Sequence, residues 1–131
     1  MSMGLLSQIA AVSLGASLGA LARWRAGILF NQVWAGFPLG TLLVNVLGGL
    51  MIGMALEWLA RFPDEGLRLL LVTGFLGGLT TFSTFSGESL ALLQRGLYGL
   101  ALAHTGAHVL GGLGGAVLGL KLMRDLILLR V

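Results

Sequence analysis

Four long stretches of this chain carry no charged side chain, and this pattern constrains the fold more than any other feature. They cover residues 3–22, 26–56, 69–87 and 96–120. Each is about as long as the roughly 20 residues that a helix needs to cross the hydrocarbon core of a bilayer. Charged residues make up only 10% of the chain, against about 25% in soluble domains. The sequence therefore predicts an all-α integral membrane protein with four transmembrane helices in one domain, residues 1–131.

Several classes of function are excluded by residues that are missing or scattered. The chain has no cysteine, which rules out disulfides, thiolate metal sites and cysteine nucleophiles. Its net charge of +3 comes from dispersed residues, whereas nucleic-acid binding needs clustered Lys and Arg, so no nucleic-acid partner is expected. Residues 15–19 match the G-x-S-x-G pattern of hydrolases, but they lie inside an apolar stretch and not at a strand–helix turn. We therefore expect the protein not to be an enzyme.

The basic residues give little preference for one orientation in the membrane. With four spans, the termini and the polar connection predicted at residues 57–68 share one side, which holds five Lys and Arg against three on the other side. The positive-inside rule needs a clear asymmetry to fix a topology. The counts thus predict insertion in both orientations and antiparallel pairing. The two sets are Arg61, Arg68, Lys121, Arg124 and Arg130 on one side, and Arg23, Arg25 and Arg95 on the other.

Glycines recur at four-residue spacing in all four stretches. Small residues at i and i+4 let helix backbones approach closely in lipid, so these positions predict packing seams and not ligand sites. A bundle of such slim helices leaves little room for a wide pore within one chain, so self-association is expected. The positions are Gly15/Gly19, Gly49/Gly53, Gly74/Gly78 and the run Gly111/Gly115/Gly119.

The third stretch contains a run of residues that weaken a helix, GFLGGLTTFSTFS at residues 74–86. Gly and Thr have low helix propensity, which favours a break at residues 77–81 and a restart with Thr81 or Thr84 as N-cap. Broken backbone within a membrane is tolerated where it is buried or lines a cavity, and its free carbonyls can coordinate a cation. A continuous helix whose hydroxyls bond its own carbonyls is the alternative that the sequence leaves open.

Polar and aromatic residues share helix faces in two of the apolar stretches. Thr41 and Asn45 are spaced i, i+4, and an Asn at such a place more often joins helices than binds a ligand. Phe82 and Phe85 are spaced i, i+3 and share a face with nearby hydroxyls. Ring edges would suit an anion and ring faces a cation, and the spacing does not decide between them.

His104 and His108 are spaced i, i+4 in the fourth stretch. That spacing could chelate a metal, but no cysteine and no carboxylate nearby in the sequence completes a site. Pore lining or interhelical hydrogen bonding is therefore favoured over a metal. Glu88 closes the third stretch, and we expect it at a solvated helix end and not at a pore mouth.

Three segments together resemble the CrcB/Fluc family of fluoride channels: GGLTTFSTFS at residues 77–86, GTLLVN at 40–45 and LARW at 21–24. The resemblance extends across nearly the whole chain. It implies an antiparallel, dual-topology homodimer in the lipid bilayer of the cell (inner or plasma) membrane, which passively exports fluoride through two pores. It also implies a structural sodium ion on the dimer axis, held by carbonyls of Gly77 and Thr80 from both subunits.

The resemblance also implies roles for single side chains. Phe82 and Phe85 would line the pores and contact fluoride through their ring edges, and Asn45 would donate an amide hydrogen bond to the ion. Arg23 matches a basic residue that the family places after the first helix, in the vestibule or in packing. The fluoride pathway would be completed by Ser83, Thr84, Ser86, Thr41 and His104.

The fourth helix departs from the family pattern, because relatives often place Tyr or Ser hydroxyls where this chain has His104 and His108. A small multidrug-resistance-type transporter is the alternative function, since those exporters are also four-helix, dual-topology dimers. They depend on a membrane-embedded Glu in the first helix, whereas residues 3–22 contain no acid.

Overall fold

The computed structural model describes residues 3–129, and within that range it contains helices but no β-strand. Helix α3 spans residues 65–79, with Arg68–Leu76 in the wider π-helical form between short α-helical turns. The other helices are α1 (Leu5–Phe30), α2 (Leu39–Arg61), α4 (Phe82–Gln94) and α5 (Tyr98–Leu128). Together α3 and α4 form the third of four segments long and apolar enough to cross a membrane, Glu65–Gln94.

The helices extend beyond the charge-free stretches. Helix α1 continues through Arg23 and Arg25, and α5 continues through Lys121 and Arg124. These residues therefore lie on helices and not in connections. Lys and Arg are good helix formers, and their long side chains can reach the membrane–water interface from a helix end. Arg130, which is predicted on the same side of the membrane as Lys121 and Arg124, lies outside the described residues.

The second helix begins later than its charge-free stretch. Residues 31–38 form a connection in which Gly36 has a φ of 84°, and α2 begins at Leu39 after Pro38. At its other end α2 includes Glu57, which the sequence placed in a polar connection. That prediction was wrong: Glu57 is buried, and its carboxylate is paired with Arg61 at 3.0 Å and Arg124 at 3.2 Å. These two charge-assisted pairs with guanidinium groups offset the cost of burying the carboxylate.

Two glycine seams hold the bundle together, one between α1 and α3 and the other between α2 and α5. A Cβ atom at Gly19 would collide with the carbonyl oxygen of Phe75, and one at Gly119 would collide with the carbonyl oxygen of Leu50. A Cβ atom at Gly115 would come within 2.8 Å of the carbonyl oxygen of Val46. The prediction of packing seams is confirmed, because backbones this close exclude any side chain.

The residues that match the hydrolase pattern, 15–19, lie within helix α1. The serine of the pattern, Ser17, is in the middle of a continuous helix and donates a 2.8 Å hydrogen bond to the carbonyl of Ser13. The strained turn that exposes a nucleophile in hydrolases is therefore not formed by these residues.

Candidate functional site

The third span is interrupted at Thr80 and Thr81. Both residues have extended backbone, with φ/ψ of −84°/155° and −151°/119°. The hydroxyl oxygen of Thr81 then accepts a 3.1 Å hydrogen bond from the backbone N–H of Thr84, which caps the start of α4. The predicted break and the Thr81 cap are confirmed, and the continuous helix is excluded.

Asn45 on α2 compensates for the broken backbone. Its Oδ1 accepts a hydrogen bond of 2.8 Å from the N–H of Thr81, and its Nδ2 donates one of 3.0 Å to the Thr81 carbonyl. Both backbone groups of Thr81 are thereby satisfied by one side chain, as membrane-embedded backbone requires. Asn45 therefore joins α2 to the break.

The break also releases carbonyl groups from helical bonding. Arg23 on α1 donates from Nε to the Gly78 carbonyl at 3.0 Å, which accounts for one of them. The carbonyls of Gly77 and Thr80 accept no hydrogen bond from residues 3–129. The N–H groups that would reach them in a helix belong to Thr81 and Thr84, and these bond the Asn45 side chain and the Thr81 hydroxyl instead.

Phe82 and Phe85 contact each other but lie in different surroundings. Their ring centroids are 5.6 Å apart with an interplanar angle of 70°, so one ring points its edge at the other. Phe82 is 79% exposed, whereas Phe85 is 8% exposed and stacks on the rings of His104 and His108. The predicted shared face is confirmed.

The hydroxyl groups at the start of α4 bond locally. Ser83 is 3.4 Å from the Thr81 hydroxyl, which donates to the Thr84 hydroxyl at 3.1 Å. Ser86 donates a 2.8 Å hydrogen bond to the carbonyl of Phe82. Ser83 and Thr84 are exposed, so each can still accept a further bond.

Glu88 is the centre of a polar network between α2, α4 and α5. Its Oε1 accepts a 2.6 Å hydrogen bond from the Thr41 hydroxyl, and its Oε2 lies 3.2 Å from His104 Nε2. Thr41 is in turn held by Asn31, whose Oδ1 accepts from the Thr41 N–H at 3.1 Å. The prediction of a solvated helix end was wrong, because α4 continues to Gln94 and places Glu88 in its interior.

The two histidines are buried beside this network. His104 is fully buried, with Nδ1 at 2.9 Å from the Ser89 hydroxyl. His108 is 6% exposed and has Nδ1 at 3.0 Å from Asn45 Nδ2, while its Nε2 has no partner among residues 3–129. Ligand atoms of Glu88, His104 and His108 all lie within 4.8 Å of one another. The carboxylate that appeared missing in the sequence is thus supplied by α4.

Asn45 determines which nitrogen of His108 carries the proton. Because Asn45 Oδ1 accepts from the Thr81 N–H, its Nδ2 is the group that faces His108. An amide N–H can only donate, so Nδ1 of His108 must accept and a neutral ring carries its hydrogen on Nε2. The site therefore contains a buried N–H donor without a partner within the described range.

Most of the predicted site residues line one of two cavities. A groove of about 590 Å³ is lined by Asn45, Gly77, Thr80, Phe82, Phe85 and His108, together with apolar neighbours. A second cavity of about 410 Å³ is lined by Arg23, Asn31, Thr41, Thr81 and Thr84, among others. His104 lies behind Phe85, in contact with Glu88.

Sequence reasoning missed the roles of Glu88 and His108 in this site. Glu88 follows Phe85 by three residues, so helical spacing already places both on one face. His108 lies one turn after His104, but nothing in its spacing indicates that it meets Asn45.

The chain is similar to known proteins over most of its length. Residues 10–120 match the family model described as "CrcB-like protein, Camphor Resistance (CrcB)". Three relatives, each named fluoride-specific ion channel FluC, come from Aromatoleum aromaticum, Tolumonas auensis and Pseudomonas aeruginosa. The first is 52% identical over 79% of this chain and 80% of its own length. The other two are 48% and 49% identical, over 91% and 86% of this chain and 95% and 90% of their own lengths. The chain therefore belongs to the CrcB-like family and is a multi-pass protein of the cell membrane.

Proposed function

We propose that this protein is a channel that lets fluoride cross the cell membrane passively. The observation that carries the proposal is the helix break at Thr80 and Thr81, which places Asn45, Phe82, Phe85 and His108 along one groove. Relatives about half identical to this chain are named fluoride-specific ion channels, which supports the choice of ion and an activity other than catalysis.

The side chains of the groove offer donors suited to a small, strongly hydrated anion. The edge of an aromatic ring is positive, and the Phe82–Phe85 pair is already arranged edge to face. His108 Nε2–H is a buried donor that a fluoride ion beside Phe85 would satisfy. Both amide hydrogens of Asn45 face acceptors, so Asn45 donates to the ion only if it releases Thr81 or His108.

We propose in addition that the working unit is an antiparallel homodimer. Phe82 is exposed, and the carbonyls of Gly77 and Thr80 accept no hydrogen bond from residues 3–129. An unsatisfied backbone group facing lipid costs several kcal/mol, so these groups have to be covered by protein or to line a water-filled cavity. A second protein surface over the groove would keep lipid away from them. The weak charge asymmetry supports a second copy in the opposite orientation, which would give two pores.

We propose that these carbonyls hold a structural sodium ion. Carbonyl oxygens suit hard cations, and those of Gly77 and Thr80 are freed by the break. The ion would supply positive charge next to an anion pathway. The neighbouring carbonyls of Gly78 and Thr81 already accept hydrogen bonds from Arg23 and Asn45.

The proposal is tested by fluoride efflux from liposomes that contain the purified protein. Wild-type channels should release trapped fluoride, and Phe82→Ile and Phe85→Ile should abolish release while the oligomer still forms. Phe62→Ile is the matched control, because Phe62 lies at the end of α2, away from the groove. Undiminished fluoride flux in both variants would refute the assignment of Phe82 and Phe85 to the pore. Efflux of an organic cation without fluoride would favour the alternative function, a small multidrug-resistance-type transporter.

A further inference from the structure

Three potential metal ligands from two helices converge behind Phe85. Glu88 comes from α4, and His104 and His108 come from consecutive turns of α5. Their ligand atoms lie within 4.8 Å of one another, and both imidazoles are buried. Two imidazoles and one carboxylate form the ligand set that many zinc sites with an open fourth position use.

The spacing of the first two ligands already suits a metal. Zinc binds histidine nitrogen and carboxylate oxygen at about 2.0–2.2 Å, so two tetrahedral ligands stand about 3.3 Å apart. Glu88 Oε2 and His104 Nε2 are 3.2 Å apart. The third nitrogen, on His108, has to approach by rotation of one ring, and the groove that reaches His108 gives access from outside.

The surroundings of His104 favour coordination, whereas those of His108 oppose it. His104 Nδ1 can donate to the Ser89 hydroxyl at 2.9 Å, which leaves Nε2 free to bind a metal. The Asn45 amide meets His108 Nδ1 at 3.0 Å. A metal on Nδ1 would displace this amide, and a metal on Nε2 would require a proton on Nδ1, facing the amide N–H. Binding through either nitrogen of His108 therefore costs the contact between Nδ1 and the Asn45 amide.

We propose that Glu88, His104 and His108 form a binding site for one divalent transition-metal ion per chain. Imidazole ligands favour Zn²⁺, Ni²⁺ or Cu²⁺ over Mg²⁺ and Ca²⁺. A metal ion needs a lone pair of the His108 ring, whereas an anion needs its N–H. The metal ion and fluoride therefore compete for this ring. The site goes beyond the proposed function, and metal binding can be measured whether or not the protein conducts.

The test uses the purified, tag-free protein in detergent, with Cu²⁺ and Zn²⁺ as probes. The chain has two histidines and no cysteine, so electron paramagnetic resonance of bound Cu²⁺ should show splitting from two imidazole nitrogens. Isothermal titration should give one Zn²⁺ per chain, weakened by added fluoride. A Cu²⁺ spectrum with fewer than two nitrogen ligands, or no saturable Zn²⁺ binding, would overturn the proposal without any variant.

A substitution tests whether Glu88 supplies the carboxylate ligand. Glu88→Gln should weaken Zn²⁺ binding by at least about tenfold, the loss that even the hydrogen-bond partners of metal ligands produce. Glu65→Gln is the matched control, since Glu65 is exposed at the start of α3. Equal Zn²⁺ affinity in wild type and Glu88→Gln would rule out Glu88 as a ligand and overturn the site as proposed.

Discussion

Replacing Asn45 with Ala tests whether one side chain holds the helix break in place. The substitution removes the acceptor for the Thr81 N–H, now at 2.8 Å, and the donor to the Thr81 carbonyl, now at 3.0 Å. A buried polar group left without a partner costs about 1–3 kcal/mol. Because Thr81 is half-buried, we expect a loss of about 2–4 kcal/mol for the two groups together.

The loss is measured as the free energy of unfolding of the purified protein in detergent, followed by Trp fluorescence. Hydrogen exchange gives the local readout: the Thr81 amide should exchange at least about tenfold faster, because it loses its only side-chain acceptor in the described structure. Gln32→Ala is the control, since Gln32 is exposed in the connection after α1. Unchanged stability together with unchanged exchange at Thr81 would refute this account of the break.

Three further substitutions test the packing and the polar network. Gly119→Ala should destabilise the bundle, because its Cβ atom would meet the Leu50 carbonyl. Gly114→Ala is the control, and it should be neutral or slightly stabilising because there is open space at this position. Equal melting temperatures of the two variants would contradict the glycine seam between α2 and α5. Arg23→Met leaves the Gly78 carbonyl without its donor and should lower stability by about 1–3 kcal/mol in the same unfolding assay. Thr41→Val removes a 2.6 Å bond to Glu88 and should slow fluoride efflux from liposomes; unchanged efflux would show that this bond is dispensable.

The spans, the break and the seams were predictable because each depends on local sequence. Apolar stretches of membrane-crossing length predict helices wherever they occur. Low helix propensity at residues 77–81, with Thr81 as a cap, predicts the interruption. Glycines at four-residue spacing predict close backbones whatever partner helix they meet.

The polar network was not predictable, because it depends on which helices pack together. Glu88 and His104 are 16 residues apart, and they meet only because α4 packs against α5. Glu57 and Arg124 are 67 residues apart and meet across the α2–α5 seam. A charge at the end of an apolar stretch looks the same in sequence whether it is solvated or paired, so Glu57 and Glu88 were both misplaced.

The central claim is that the broken third span builds a pathway selective for fluoride. Its most direct test is simultaneous recording with fluoride and chloride electrodes during efflux from liposomes that contain the wild-type protein. We predict rapid release of fluoride while chloride is retained. Fluoride release no faster than from protein-free liposomes, or equal release of the two anions, would contradict the claim.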